Sequence, residues 1–124
     1  MKVLLDSDIL IEILRGRNPS ISAQWSEFGK SEDVVLYSPV SSAEVWAGAR
    51  PNDHASIENL LGAMRCVPID KDTGRWAGDY LRQYNKSHGL HIADALIAAT
   101  ALQTGASLWT RNRKHFPMKE LSFF

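Results

Sequence analysis

The sequence predicts an α/β fold, a parallel sheet flanked by helices on both faces, and three observations support this. Short apolar runs alternate with longer helical stretches along the chain, the order from which parallel sheets are built. One late segment, Ala93 to Gln103, is apolar on nearly every side, which suits a central helix buried on all faces. The length, 124 residues, suits one domain over residues 1–124 with one core.

The elements follow in order. Val3 to Leu5 is a short buried strand, and Asp8 to Leu14 is helical until Gly16 and Pro19 stop it. Ser20 to Phe28 forms a second helix that Gly29 ends. Val34 to Tyr37 is the next strand, closed by Ser38 and Pro39. Ser42 to Ala49 and His54 to Met64 are helices on either side of Pro51. Val67 to Ile69 is a third strand, Asp72 to Tyr84 a long helix with an acidic start, Ala93 to Gln103 the buried helix, and Ser107 to Thr110 a fourth strand. Leu121 to Phe124 would add a fifth at the edge.

Bulk properties exclude several classes. Hydrophobic residues make up 44% and charged residues 23%, a globular and not a disordered balance. Basic and acidic residues number 14 each, so net charge gives no footprint for nucleic acid; its distribution still can. Cys66 is the single cysteine, so no intrachain disulfide forms, as expected in a reducing cytoplasm. No signal peptide is visible. The most apolar stretch, Ile92 to Leu102, contains Asp94 and is too short to cross a bilayer.

The chemistry begins at "MKVLLDSDIL". A buried strand that ends on an acid is costly unless something compensates the charge. Sites in open α/β sheets form beyond the carboxyl ends of the strands. Asp6 ends the first strand, Glu44 follows the second and Asn112 follows the fourth; Asp94 opens the buried helix and can reach the same rim. Each has a plainer explanation. Asp8 precedes a helical run and reads as its N-cap, with a metal role as the alternative. Asp6 could serve a turn. "SSAE" from Ser41 matches a capping box with Glu44 at its third position. Asp94 is harder to explain so, because Ile97, Ala98 and Ala101, which share its helix face, are all apolar; the helix N-terminus favours its charge only in part. Arg111, Arg113, Lys114 and His115, in "TRNRKHF", form the densest cationic cluster, either a solvated loop or a phosphate contact; His115 could equally pack or cap. Trp46 and Trp109 read as core. Taken together, Asp6, Glu44 and Asp94 are three carboxylates at one rim. They would repel and raise one another's pKa, and a hard cation bound through oxygen would reverse that penalty. No zinc-type Cys/His spacing is present.

These segments, "LLDSDILIEIL", "SSAEVWAGA" and "GLHIADALIAATALQTGASLWTRNRKHF", resemble the PIN domain, and within it the VapC-type toxins of toxin–antitoxin pairs, over Lys2 to Phe116. The resemblance implies a five-stranded parallel sheet, a homodimer, a cognate VapB-type antitoxin that covers the active site, and an endoribonuclease dependent on Mg²⁺ or Mn²⁺. It matches Asp6, Glu44 and Asp94 to the family's acids, as metal ligands or as the group orienting the attacking water. It places Asn112 where many relatives carry Asp and others Asn, Thr110 at a polar position that orients the site, and Asp8 at a variable position that keeps its cap role. Arg111, Arg113 and Lys114 would hold the phosphate backbone, a contact that does not read sequence. Two rivals remain. "DSDIL" imitates the Asp-x-Asp of haloacid dehalogenase-like phosphatases, with Asp6 as nucleophile and Asp8 as acid, but Leu10 and the missing later acidic pair depart from that pattern. A PIN-like binding module without catalysis is favoured by Asn112 alone.

Overall fold

A computed structural model describes every residue from Met1 to Phe124. Four parallel strands, β1 (Lys2–Leu5), β2 (Val34–Tyr37), β3 (Arg65–Cys66) and β4 (Ser107–Trp109), form one sheet in the order β3-β2-β1-β4. Six helices connect and cover them: α1 (Ser7–Arg15), α2 (Pro19–Phe28), α3 (Pro39–Ala47), α4 (His54–Gly62), α5 (Lys71–His88) and α6 (Ile92–Thr104). Strand β1 is central, pairing Leu4 with Leu36 on one side and with Leu108 on the other.

Side-chain alternation along the strands divides the interior into two layers. Leu4, Leu36 and Leu108 point to the face covered by α5 and α6, where Tyr80, Ile97 and Ala98 complete the packing. Val3, Leu5 and Trp109 point to the face covered by α1 to α4, where Ile9, Leu10, Phe28, Val45 and Ile57 meet them. Helix α6 buries Ile97, Ala98 and Ala101 almost completely, as its sequence requires. Trp109 is a buried member of the second layer, while Trp46 is half-buried and packs against that layer from its edge.

Four expectations change in detail. Helix α3 starts at Pro39, not Ser42: Ser38 is its N-cap, accepting from the Val40 N–H at 3.1 Å, and Pro39 opens the first turn, where a missing N–H costs nothing. Strand β3 is shorter and earlier than Val67 to Ile69. The Val67 N–H still donates to the Tyr37 carbonyl at 2.9 Å, and Pro68, with no N–H, ends the ladder. Helix α5 runs one turn past Tyr84, to His88, and Gly89, at φ 60°, supplies the left-handed C-cap. The fifth strand reduces to one parallel bridge, Leu108 with Phe123, flanked by Leu108 N–H to Ser122 O at 2.8 Å and Phe124 N–H to Leu108 O at 2.9 Å. The tail crosses β4 there and is held mainly by side chains: Phe124 stacks against Phe28 and Trp109. No helix is long and apolar enough to cross a membrane.

This packing predicts a contrast. Leu108, fully buried between β1 and the tail, should lose about 2–5 kcal/mol on Leu108→Ala. Ile92, 66% exposed, should lose less than about 0.5 kcal/mol on Ile92→Ala. Urea melts of the two variants measure both.

Candidate active site

The chain leaves β1 at Leu5 and turns into α1 with no intervening loop. Asp6, extended at φ −74° and ψ 160°, is therefore the N-cap itself. One carboxylate oxygen accepts from the Ser7 N–H at 2.8 Å, the other from the Thr110 hydroxyl at 2.9 Å. Its own N–H donates to the Trp109 carbonyl at 3.0 Å, fixing the residue to the end of β4. The helix thus starts at Ser7, and Asp8 is not the cap that its sequence position suggested. It lies in the first turn, where its charge still favours the helix N-terminus, and its side chain reaches across to the turn after β4.

There Asp8 organises the turn. Its Oδ2 accepts from the Arg111 N–H at 2.9 Å and from the Asn112 amide at 3.1 Å. The Thr110 hydroxyl lies 3.4 Å away, but its single proton goes to the nearer Asp6, while its oxygen accepts from the Asn112 N–H at 3.0 Å. The Asn112 amide must present its nitrogen, because a carboxylate can only accept. The other oxygen of Asp8, Oδ1, is buried and has no hydrogen-bond partner. Asp6, Asp8, Thr110 and Asn112 are thereby one connected polar cluster. Asp8 is the member that reading the sequence misplaced; the signal for it was the second acid of "DSD", which the cap assignment absorbed.

Charge follows geometry. Burial, and then the neighbouring Asp8 carboxylate, push the Asp6 pKa up to about 6; Glu44 adds a smaller push, and the bonds from Thr110 and Ser7 oppose it. Glu44 is exposed on the second turn of α3, so the capping-box explanation falls with the earlier start of that helix. It borders a cavity of about 400 Å³ that Arg15, Arg17 and Arg50 also line. Asp94, in the first turn of α6, has its pKa raised by burial; the charges of His115 and His91 work against the shift. His115 thus belongs to the Asp94 environment, a role its sequence context left open. The three expected acids lie on one rim but do not converge: no three Asp, Glu, His or Cys side chains are placed to chelate one ion unaided.

The basic cluster is not uniform. Arg111 pairs with Glu12 at 3.1 Å. Arg113 donates to the Phe124 backbone oxygen at 3.0 Å and lies over the Phe123 ring, 5.1 Å from its centroid. Lys114 is exposed and makes neither kind of contact. Two of the three expected phosphate contacts therefore already have protein partners.

The donor set still fits a hard cation. It is all oxygen, it pairs two neighbouring carboxylates, and it includes a buried carboxylate oxygen with nothing to satisfy it. Mg²⁺ commonly takes one or two carboxylates and completes its shell with water and substrate phosphate, so convergence of three acids is not required.

Known proteins resemble this chain in sequence and in structure. The family model of the PIN domain matches residues 3–121. Ribonuclease VapC10 of Mycobacterium tuberculosis is 37% identical over 95% of this chain and 88% of its own length. Ribonuclease VapC19 of the same organism is 34% identical over 93% of this chain and 92% of its own. In structure the chain is similar to VapBC2 from Rickettsia felis, solved bound to a DNA fragment from its promoter; the TM-score is 0.83 at 21% identity, over the whole of this chain and 98% of that one.

The raised Asp6 pKa carries a pH signature. A carboxyl that holds its proton more tightly folded than unfolded favours the fold at low pH, and that contribution is lost as pH rises from about 4 through about 6. In EDTA, Asp6→Asn should therefore stabilise the protein by about 1–3 kcal/mol at pH 7.5, with the loss of the bond donated by Thr110 limiting the gain, and by almost nothing at pH 4. Thermal melts at both values measure the difference; an equal effect at both would disprove the assignment.

Proposed function

The chain belongs to the PIN domain family, and on that premise we propose that it is a metal-dependent endoribonuclease, the toxin of a toxin–antitoxin pair. The observation that carries the proposal is Asp6: a partly buried carboxylate fixed at the end of a strand, its pKa pushed up to about 6 by burial and by the carboxylate beside it. The ribonuclease names of the VapC10 and VapC19 relatives support the reaction class. Family membership also replaces the phosphatase alternative, because "DSD" then ends the first strand of a PIN domain.

Asp6 would hold Mg²⁺ or Mn²⁺ directly, and Asp94 and Glu44 would reach the ion through its bound water. The bound ion supplies an acidified water and stabilises charge on the phosphoryl oxygens. The other residues act on position. Thr110 orients Asp6 by its hydroxyl proton, and Asn112 steadies the same turn from its backbone N–H and its amide. Glu44 would be a ligand or would orient the attacking water. Lys114, exposed and without a protein partner, is the best placed of the basic cluster to meet an RNA phosphate; Arg111 and Arg113 would do so only by exchanging Glu12 and the C-terminal aromatics. A VapB-type antitoxin and a second copy of the chain complete the proposal. An acidic rim favours an antitoxin that presents an Arg or Lys there, since opposite charge compensates the cluster.

Two measurements test this reading. RNA cleavage should require Mg²⁺ or Mn²⁺, stop in excess EDTA and be lost in Asp6→Asn and Asp94→Asn; cleavage by pure protein in EDTA would reject it. Mn²⁺ that neither binds nor supports cleavage would leave the binding module, which the neutral Asn112 favours. Separately, Lys114→Gln should weaken RNA binding at every sequence and lower the slope of log K against log salt by about one. A slope that stays the same assigns Lys114 to the solvated surface.

A further inference from the structure

We propose that Asp8 is a further acidic residue of the divalent-cation site, aimed by the Asn112 amide and the Arg111 N–H. The inference rests on the metal-dependent reading above and adds a residue to it. Three observations converge. The donors that reach Asp8 both fall on Oδ2: Arg111 N–H at 2.9 Å and Asn112 Nδ2 at 3.1 Å. The Thr110 hydroxyl, which gives its proton to Asp6 at 2.9 Å, lies 3.4 Å from the same Asp8 oxygen, so the two carboxylates flank one hydroxyl. Oδ1 is buried without a partner.

A purely structural role explains the first of these alone. An acid in the first turn of a helix is favoured by the helix dipole, but that gives no reason to bury an oxygen and leave it unbonded. Buried polar atoms are paired in native proteins, and an exception calls for a water or an ion. A water would satisfy the oxygen yet leave Asp6 and Asp8 repelling each other. A divalent cation, direct or through its bound water, satisfies the oxygen and removes the repulsion together. Asn112 then has a defined part. It is the neutral donor that fixes the carboxylate, and the charge of this corner of the site is carried on α1.

The hydrogen bond between residues 8 and 112 can be reversed, and this gives the test. Mn²⁺ binding to the metal-free protein, without RNA, is read by titration calorimetry, with thermal melts in EDTA as the folding control. Asp8→Asn should weaken binding about 10- to 100-fold, the range for groups that support a metal site. The reciprocal variant, Asp8→Asn with Asn112→Asp, restores both the charge and the bond with partners exchanged, and should recover most of that loss. Undiminished binding in Asp8→Asn overturns the proposal, as does a folded reciprocal variant that binds no better than the single one. Should Asp8→Asn fail to fold, Asn112→Ala keeps the carboxylate and removes its donor; severalfold weaker Mn²⁺ binding supports the proposal and no change overturns it. If the unaltered protein binds Mn²⁺ but cleaves no RNA, the nuclease reading falls and this inference stands; if it binds none, both fall.

Discussion

Everything at the functional end of this protein depends on one contact: the turn after β4 is tied to the start of α1 by two carboxylates. Asp6 takes the Thr110 hydroxyl and Asp8 takes the Arg111 N–H and the Asn112 amide. The contact joins residues more than a hundred positions apart, and it is possible only because β1 and β4 are neighbours in the sheet. The sheet order thus places the acids, and the acids in turn fix the turn that carries Asn112 and the basic residues.

The same contact sets the energetic tension of the site. Two adjacent carboxylates, partly withdrawn from water, are unfavourable without a cation. The fold tolerates them because both buried layers lie beneath them: Val3 and Leu5 on one face, Leu4 and Leu108 on the other, none more than 0% exposed. Stability is supplied by the strands and spent at their carboxyl ends, a common arrangement for sites built on rigid elements. A bound cation would relieve the tension and stabilise the native state by mass action.

Away from this centre, the rim has distinct sectors. Asp94 sits with His115 and His91 at the start of α6. Glu44 stands on α3, beside a cavity edged by Arg15, Arg17 and Arg50. These arginines lie far from "TRNRKHF" in sequence: the positive charge lining the cavity beside Glu44 comes from the end of α1, the turn that follows it and the segment after α3, while Arg111 and Arg113 are largely committed to holding the fold. Composition could not separate the two groups, because a charge in a sequence carries no record of its partner.

Local physics made much of the fold legible. Strand β2 spans Val34–Tyr37 as its apolar run and the following Ser-Pro dictate, and α6 is buried because no face of it is polar. Element ends were less legible where neighbours decide them: the pairing with β2 starts β3 at Arg65, before its apolar run, and the C-terminal segment reaches β4 for a single bridge. The candidate acids Asp6, Glu44 and Asp94 could be named from motif order, since each follows a recognisable strand or opens a recognisable helix. Their grouping could not. A spacing of two between Asp6 and Asp8 states that both lie near a helix start; it does not state which one caps. The extended backbone at Asp6 decides that in favour of Asp6, and the arrival of β4 alongside β1 turns Asp8 toward Asn112. The sequence by itself determined which residues are acidic, apolar or turn-forming, because those are properties of single residues and short windows. Only the tertiary structure decided which carboxylate meets which donor, because that depends on the order in which strands lie side by side.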